Sequence, residues 1–112
     1  MRKILTVSLA TMLSFGTVQA QEILLEGNLD CATWASSREA KASVALEHYL
    51  LGFINGLALG NRKDFWEYPS RIKREQVHYW MDKYCAENPL QYVVYGALAL
   101  FEERFGKGWD LQ

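Results

Sequence analysis

The sequence predicts an all-α fold, a compact bundle of about four helices stapled by one disulfide. Apolar residues recur at three- and four-residue steps in three separate segments, which is the spacing of one buried helix face. No segment shows the apolar–polar alternation of a half-buried strand. The chain has two cysteines, Cys31 and Cys85, in 112 residues, a length that suits one small domain.

The first twenty residues have the composition of a secretory signal peptide. A basic start, Arg2-Lys3, precedes a nearly continuous apolar run, and Val18-Gln19-Ala20 matches the small-x-small cleavage pattern. The apolar run is shorter than the roughly 20 residues of a membrane-spanning helix, which disfavours a retained anchor. We therefore expect residues 1–20 to be removed on export to the periplasm, leaving residues 21–112 as a single helical domain.

Export places the two cysteines in an oxidising compartment, where the cysteines of a small domain usually pair. A bridge between Cys31 and Cys85 closes a segment of 54 residues. The chain-entropy model assigns such a loop about 4 kcal/mol of stabilisation. The alternative is a reactive or metal-binding role, but neither a Cys-x-x-Cys motif nor zinc-site spacing accompanies these cysteines.

The first predicted helix is short, whereas the second is long and largely apolar. Asp30 is a candidate N-cap for a short helix that begins near Cys31, carries Trp34 inward and is interrupted at Ser36-Ser37. The second helix is predicted over about residues 39–60. It is apolar most of the way round, which is typical of a central helix.

Two further helices are predicted after a connection at residues 61–70. The third covers about residues 71–87, with Ser70 as N-cap and a buried face of Val77, Trp80, Met81, Tyr84 and Cys85. Asn88-Pro89 is expected to cap and begin a fourth helix at once. This helix extends to about Arg104, with a buried face of Leu90, Val93, Val94, Ala97, Leu98 and Phe101.

Three glycines, Gly52, Gly56 and Gly60, recur at four-residue steps on one face of the second helix. Each costs about 1 kcal/mol relative to alanine in a helix interior, so we expect this face to be used for close packing. The first interpretation is approach of the fourth helix, where Gly96 and the neighbouring alanines offer a matching small surface. The alternative is a seam for a partner's helix or for a homodimer.

An aromatic cluster, Phe65, Trp66 and Tyr68, falls in the predicted connection. Aromatic side chains anchor many protein interfaces, so these three are candidate partner-binding residues. The alternative is that the cluster folds back as a lid over a small core.

Side chains suited to catalysis are sparse. His48 and His78 lie on different predicted helices without metal-ligand spacing, and no Gly-x-Ser-x-Gly motif is present. We therefore expect no catalytic residue, no metal and no cofactor. The formal net charge is −1 at pH 7, and loss of Arg2-Lys3 makes the chain more acidic. This balance disfavours nucleic acid and anionic lipid, so the expected partner is another protein.

Three features together resemble a known family: Cys31 shortly before Trp34, the run His48-Tyr-Leu-Leu-Gly52-Phe-Ile-Asn-Gly56, and the junction Tyr84-Cys85-Ala-Glu-Asn88-Pro89. The chain is similar in these features to the HdeA/HdeB-like small periplasmic helical proteins with one disulfide. Their best-known members are acid-stress chaperones, so the resemblance implies a non-enzymatic protein that binds client proteins. Near pH 2, protonated carboxylates would leave only positive charges, which favours expansion while the disulfide keeps two regions joined.

The glycine-bearing helix and the Cys-x-x-x-Pro junction from Cys85 to Pro89 also resemble the Rap/Tai-type immunity proteins of type VI secretion. That resemblance implies a toxin as the alternative partner. A component of a secretion or conjugation system is the other alternative.

Overall fold

The computed structural model describes residues 24–107, which contain four helices. They are α1 over Cys31–Glu39, α2 over Val44–Asn61, α3 over Arg74–Glu87 and α4 over Val93–Phe105. Within residues 24–107 there is no strand, and none of the helices is long and apolar enough to cross a membrane. The all-α prediction is confirmed. The predicted leader, residues 1–20, lies outside the described residues.

The short helix α1 begins as the sequence predicts. Asp30 Oδ1 accepts a hydrogen bond from the Thr33 backbone N–H at 2.6 Å, and this bond lowers the pKa of Asp30. The predicted interruption at Ser36-Ser37 is wrong, because α1 continues through both serines. The Ser36 hydroxyl donates to the Thr33 carbonyl at 3.2 Å, so it is satisfied within the helix.

A turn separates α1 from α2, so the second helix begins later than predicted. Lys41 takes a left-handed φ of 55°, and the Ala42 N–H donates back to the Ser37 carbonyl at 2.9 Å. Arg62 takes a left-handed φ of 53° at the other end, where the helix stops.

Helix α3 begins later in the sequence than predicted, because long-range hydrogen bonds hold the backbone before it. Arg104 Nη2 donates to the carbonyls of Tyr68 and Ser70, at 2.8 and 2.7 Å. Ser70 therefore lies outside the helix, and its predicted role as N-cap is wrong. Lys73 precedes the first helical residue instead, and its N–H donates to the side chain of Gln76 at 2.7 Å.

The predicted start of α4 at Pro89 is also wrong, because the preceding backbone bonds to another part of the chain. The Cys31 N–H donates to the Gln91 carbonyl at 2.9 Å, and the Val93 N–H donates to the Leu29 carbonyl at 2.8 Å. These bonds join the segments that lead into α1 and α4. Leu90 consequently lies outside the helix and is 94% exposed, although the sequence places it on a buried face.

All four helices and the α2–α3 connection contribute to the core. The fully buried large side chains are Trp34, Leu50, Ile54, Phe65, Val77, Met81, Val93 and Phe101. Trp80 was predicted to be buried but is only partly so, since its indole Nε1 donates to Glu103 Oε2 at 2.7 Å near the surface. Leu98 is likewise only partly buried.

Cys31 and Cys85 form the predicted disulfide, which joins the first residue of α1 to the last turn of α3. The two helices are antiparallel, because Trp34 and Arg38 further along α1 contact Asp82 one turn earlier on α3. We call this pairing the α1–α3 seam: Cys31, Trp34 and Arg38 against Cys85, Asp82 and His78.

Gly96 is the glycine at which two helices approach closely. A methyl group on Gly96 would lie 2.6 Å from Met81 Sδ and 2.7 Å from Tyr84 Cδ1. The predicted packing role of Gly96 therefore stands, but the helix that approaches it is α3 and not α2.

The expectation that Gly52, Gly56 and Gly60 receive the fourth helix is wrong. All three are exposed, and a methyl group on any of them would have no neighbour within 4 Å. The residues of α2 that are buried in the core are Leu50, Ile54 and Leu57, on the opposite side of the helix. The glycines consequently face away from the rest of the described chain.

We predict that the same substitution has opposite effects at two helical glycines. Gly96→Ala should lower the free energy of unfolding by about 1–3 kcal/mol, because the added methyl group overpacks the α3–α4 contact. Gly56→Ala should raise it by about 1 kcal/mol, because alanine is the better helix former and the site is open. Urea unfolding of the oxidised protein measures both, and equal changes would contradict this assignment of the two glycines.

Candidate functional site

Four charged or titratable side chains meet where three helices come together. Arg38 lies in the last turn of α1, Glu47 lies in the first turn of α2, and His78 and Asp82 lie one turn apart on α3. We call these four residues the charged joint. The short turn after α1 places the start of α2 beside the end of α1, so Arg38 and Glu47 come close to each other.

Asp82 holds α1 against α3 through three hydrogen bonds. Arg38 donates through Nε to Oδ1 and through Nη2 to Oδ2, both at 2.8 Å, so this pair is bidentate. The Trp34 indole Nε1 also donates to Oδ1, at 2.9 Å. The hydrogen bond to Asp82 raises the pKa of Arg38, which keeps the guanidinium charged.

Glu47 attaches α2 to both partners of the seam. Its Oε1 lies 3.5 Å from Arg38 Nη1 and 3.3 Å from His78 Nδ1. Its Oε2 accepts a hydrogen bond from the buried Ser43 hydroxyl at 3.1 Å. Ser43 thus contacts the carboxylate and not the imidazole, so this arrangement does not make a nucleophile–base pair.

His78 is the group of the joint that resists protonation. Its side chain is 8% exposed, and burial lowers its pKa below the ordinary value of 6.5. Glu47 and Glu75 oppose this shift, while Arg38 and Arg74 reinforce it. Nδ1 faces Glu47, but the buried Nε2 has no hydrogen-bond partner within residues 24–107. A second proton would therefore create a buried N–H without an acceptor.

A cleft of about 350 Å³ opens beside the charged joint. It is lined by Arg38, Val44, Glu47, His48, Leu51, Arg74, Glu75 and His78. The structure thus brings the two histidines to one cleft, although they lie on different helices. No group of three or more His, Cys, Asp or Glu side chains within residues 24–107 could hold a metal ion.

The solvent-facing side of α2 forms a second candidate surface. Its exposed residues are Val44, Ala45, His48, Gly52, Asn55, Gly56, Leu59 and Gly60, which we call the outer face of α2. Two large apolar side chains lie on it, Leu59 at 82% exposure and Val44 at 66%. None of the eight residues is Asp, Glu, Lys or Arg.

The aromatic cluster is divided between core and surface. Phe65 is fully buried and stacks on Phe101 with ring centroids 5.7 Å apart, so its predicted partner-binding role is wrong for the folded protein. Trp66 is partly buried, and its Nε1 donates to Asn55 Oδ1 at 2.8 Å. Tyr68 is exposed and remains a candidate contact. Phe65 thus folds back over the core, as the alternative interpretation of the aromatic cluster predicts.

Sequence reasoning missed Arg38, Glu47 and Asp82. A signal for two of them was present: Asp82 precedes Cys85 by three residues, and Arg38 follows Cys31 by seven. Three- and seven-residue steps return to the same helix face, so antiparallel helices joined at the cysteines bring these two side chains together.

Compared with known proteins, the chain matches no family model, no curated protein and no solved structure. The fold and the site define its class as a four-helix domain with one interhelical disulfide and a charged joint of three helices.

We predict that Asp82→Asn lowers the free energy of unfolding by about 2 kcal/mol, because Arg38 and Trp34 lose a charged acceptor at a partly buried site. Glu67→Gln is the matched control. It breaks the Arg71–Glu67 pair, whose side chains are both exposed, and should change stability by less than about 0.5 kcal/mol. Urea unfolding compares the two variants, and similar losses would contradict a stabilising role for the joint.

We also predict that His78 makes stability depend on pH. Because its pKa is lowered in the folded state, the unfolded chain takes up the proton more readily. The contribution of neutral His78 is complete above pH 6.5 and is lost as the pH falls through the lowered folded pKa. His78→Gln should therefore flatten the fall in unfolding free energy below pH 6.5. The exposed histidine of the same cleft provides the control: His48→Gln should keep the wild-type slope, and equal flattening would exclude His78 as the source.

Proposed function

We propose that this protein is an exported, non-enzymatic protein of the HdeA/HdeB-like stress type, which binds other proteins after acid opens its helices. The charged joint carries the proposal. It attaches α2 to the α1–α3 seam through groups that lose favourable contacts when they take up protons. The predicted leader and the disulfide support export, because disulfides persist in oxidising compartments.

Acid acts on the joint in two stages. Mild acid forces a proton onto buried His78, which also faces the cations Arg38 and Arg74. Stronger acid, near pH 2, lies below the ordinary pKa of aspartate and glutamate side chains, so the carboxylates of a protein lose their charge there. Arg38 then has no anionic partner in the joint, and the cations of the chain repel one another.

Opening at the joint would expose apolar surface at one end of the molecule. Trp34, Leu50 and Val77 are fully buried and belong to the core on which α1, α2 and α3 pack. The disulfide lies at the far end of the α1–α3 seam and does not respond to acid. It would keep α1 and α3 together, so the helices can close again on neutralisation.

Suppression of client aggregation near pH 2 tests this proposal. The wild-type protein at a severalfold molar excess should suppress light scattering by a client that aggregates in acid, over the pH range in which the protein binds a hydrophobic dye. His78→Gln should move dye binding and suppression together to lower pH, since it removes the first stage. Dye binding without suppression would contradict the chaperone function. Suppression that is equally strong at neutral pH would contradict the acid trigger.

A second candidate is favoured by the outer face of α2, which is exposed in the closed protein. An uncharged surface of this kind suits binding at neutral pH, as in an immunity protein or an accessory factor of a secretion or conjugation system. A toxin or secretion gene beside the coding sequence would support this candidate. A neighbourhood without such genes would count against it.

A further inference from the structure

The outer face of α2 lacks the charged residues that a solvent-facing helix normally carries. The neighbouring helix α3 has the ordinary pattern, with Glu75, Lys83 and Glu87 among its exposed residues. On α2, the exposed positions instead hold two large apolar side chains, Val44 and Leu59, with glycines between them. Trp66 contacts this face at Asn55, but a methyl group on any of its three glycines would have no neighbour within 4 Å among residues 24–107.

Two clefts lie along one border of the outer face. One has a volume of about 470 Å³ and the other about 630 Å³, and both are lined by Asn55 and Trp66. The larger cleft includes Leu59 of the outer face, and the smaller one includes Ile72. The clefts adjoin each other at Asn55 and Trp66, whose side chains are hydrogen-bonded at 2.8 Å, and we call the two clefts together the groove beside α2.

Cations border this surface at both ends and along the groove. Lys41 precedes α2, Arg62 and Lys63 follow it, and Lys73 lines the groove. We call these four residues the basic rim, and none of them forms a salt bridge within the described part of the chain.

The acidic side chains of the groove compensate the basic rim only in part. Glu67 and Glu75 are already paired with arginines, at 3.1 and 3.9 Å. Asp64 is the remaining carboxylate that lines the groove, and Glu39 lines a cleft with Lys41 at the other end of the face. The four cations of the basic rim thus outnumber the two carboxylates, Asp64 and Glu39, that border this surface without a salt bridge in the described residues, in a chain whose net charge is −1.

We infer that the outer face of α2 docks an amphipathic helix of another protein, whose apolar stripe is flanked by acidic residues. Leu59 and Val44 provide apolar contacts near the two ends of the face. Gly52 and Gly56 lie between them and allow the backbones to approach closely. The basic rim is complementary to acidic flanks. The inference concerns the closed protein at neutral pH, so it does not depend on the acid-opening function.

A second copy of this chain is a poorer candidate to bind the outer face of α2, because like charges would meet. A parallel pair would place Lys41 beside Lys41 and Arg62 beside Arg62. An antiparallel pair would place Lys41 beside Arg62. Cations meet in either arrangement, and like charges placed together at an interface disfavour association.

Two labelled synthetic peptides provide the test. Each has 18 residues, the length of α2, and the same alanine and leucine stripe. Glutamates flank the stripe in one peptide and lysines flank it in the other. Fluorescence anisotropy with the full oxidised protein at pH 7 and low salt should show that the glutamate peptide binds at least about tenfold more tightly than the lysine peptide.

Variants show whether the outer face is the surface that binds. Leu59→Asn and Gly56→Leu should each weaken binding of the glutamate peptide by about tenfold, since one removes an apolar contact and the other blocks close approach. Both changes point into solvent, and circular dichroism checks that the variants are folded. Leu90→Asn is the matched control, because Leu90 is even more exposed than Leu59 but lies in the α3–α4 connection. It should bind like the wild type.

Three outcomes would overturn the inference. The first is that both peptides bind equally or that neither binds below about 1 mM. The second is that Leu59→Asn keeps wild-type affinity. The third is that sedimentation shows a dimer that Gly56→Leu dissociates, which would make a second copy the occupant.

Discussion

The α1–α3 seam is the constraint on which the rest of the structure depends. Helix α1 has nine residues and buries only Cys31 and Trp34, so it is too short to be stable without its neighbour. It is fixed to α3 by a covalent bond at its first residue and by hydrogen bonds to Asp82 along the next two turns. Glu47 then attaches the start of α2 to the same end of the seam as Arg38.

The two ends of the seam differ in chemistry, and this difference links the fold to the proposed function. The disulfide end is indifferent to pH in acid, whereas the other end depends on ionised carboxylates and on a neutral buried histidine. Acid would therefore separate the helices at one end and leave them joined at the other. The binding surface that we infer for the closed protein is a different one, the outer face of α2. The molecule would thus have one surface for partners at neutral pH and another, formed from its core, in acid.

Local patterns in the sequence predict the parts of the fold that depend on local physics. The cap at Asp30 is of this kind. The pairing of Cys31 with Cys85 is a long-range contact, and it could be predicted because the chain has two cysteines. The starts of α3 and α4 could not be predicted, because they depend on hydrogen bonds that Arg104 donates and that the Leu29 carbonyl accepts, both far away in the chain. Helix α2 is apolar most of the way round, so periodicity alone does not distinguish its core side from its glycine side. The charged joint could be predicted in part, since counting along two antiparallel helices from Cys31 and Cys85 places Arg38 near Asp82.

Hydrogen exchange followed residue by residue tests most directly whether the seam opens from its ionic end. Protection factors at pH 7 and near pH 4, corrected for the intrinsic dependence of exchange on pH, would be compared for the amides of Leu50 and Cys85. Leu50 lies in the first half of α2 and Cys85 lies at the disulfide. The account predicts that Leu50 loses at least about tenfold more protection than Cys85 on acidification. Equal losses at the two amides, or an earlier loss at Cys85, would contradict it.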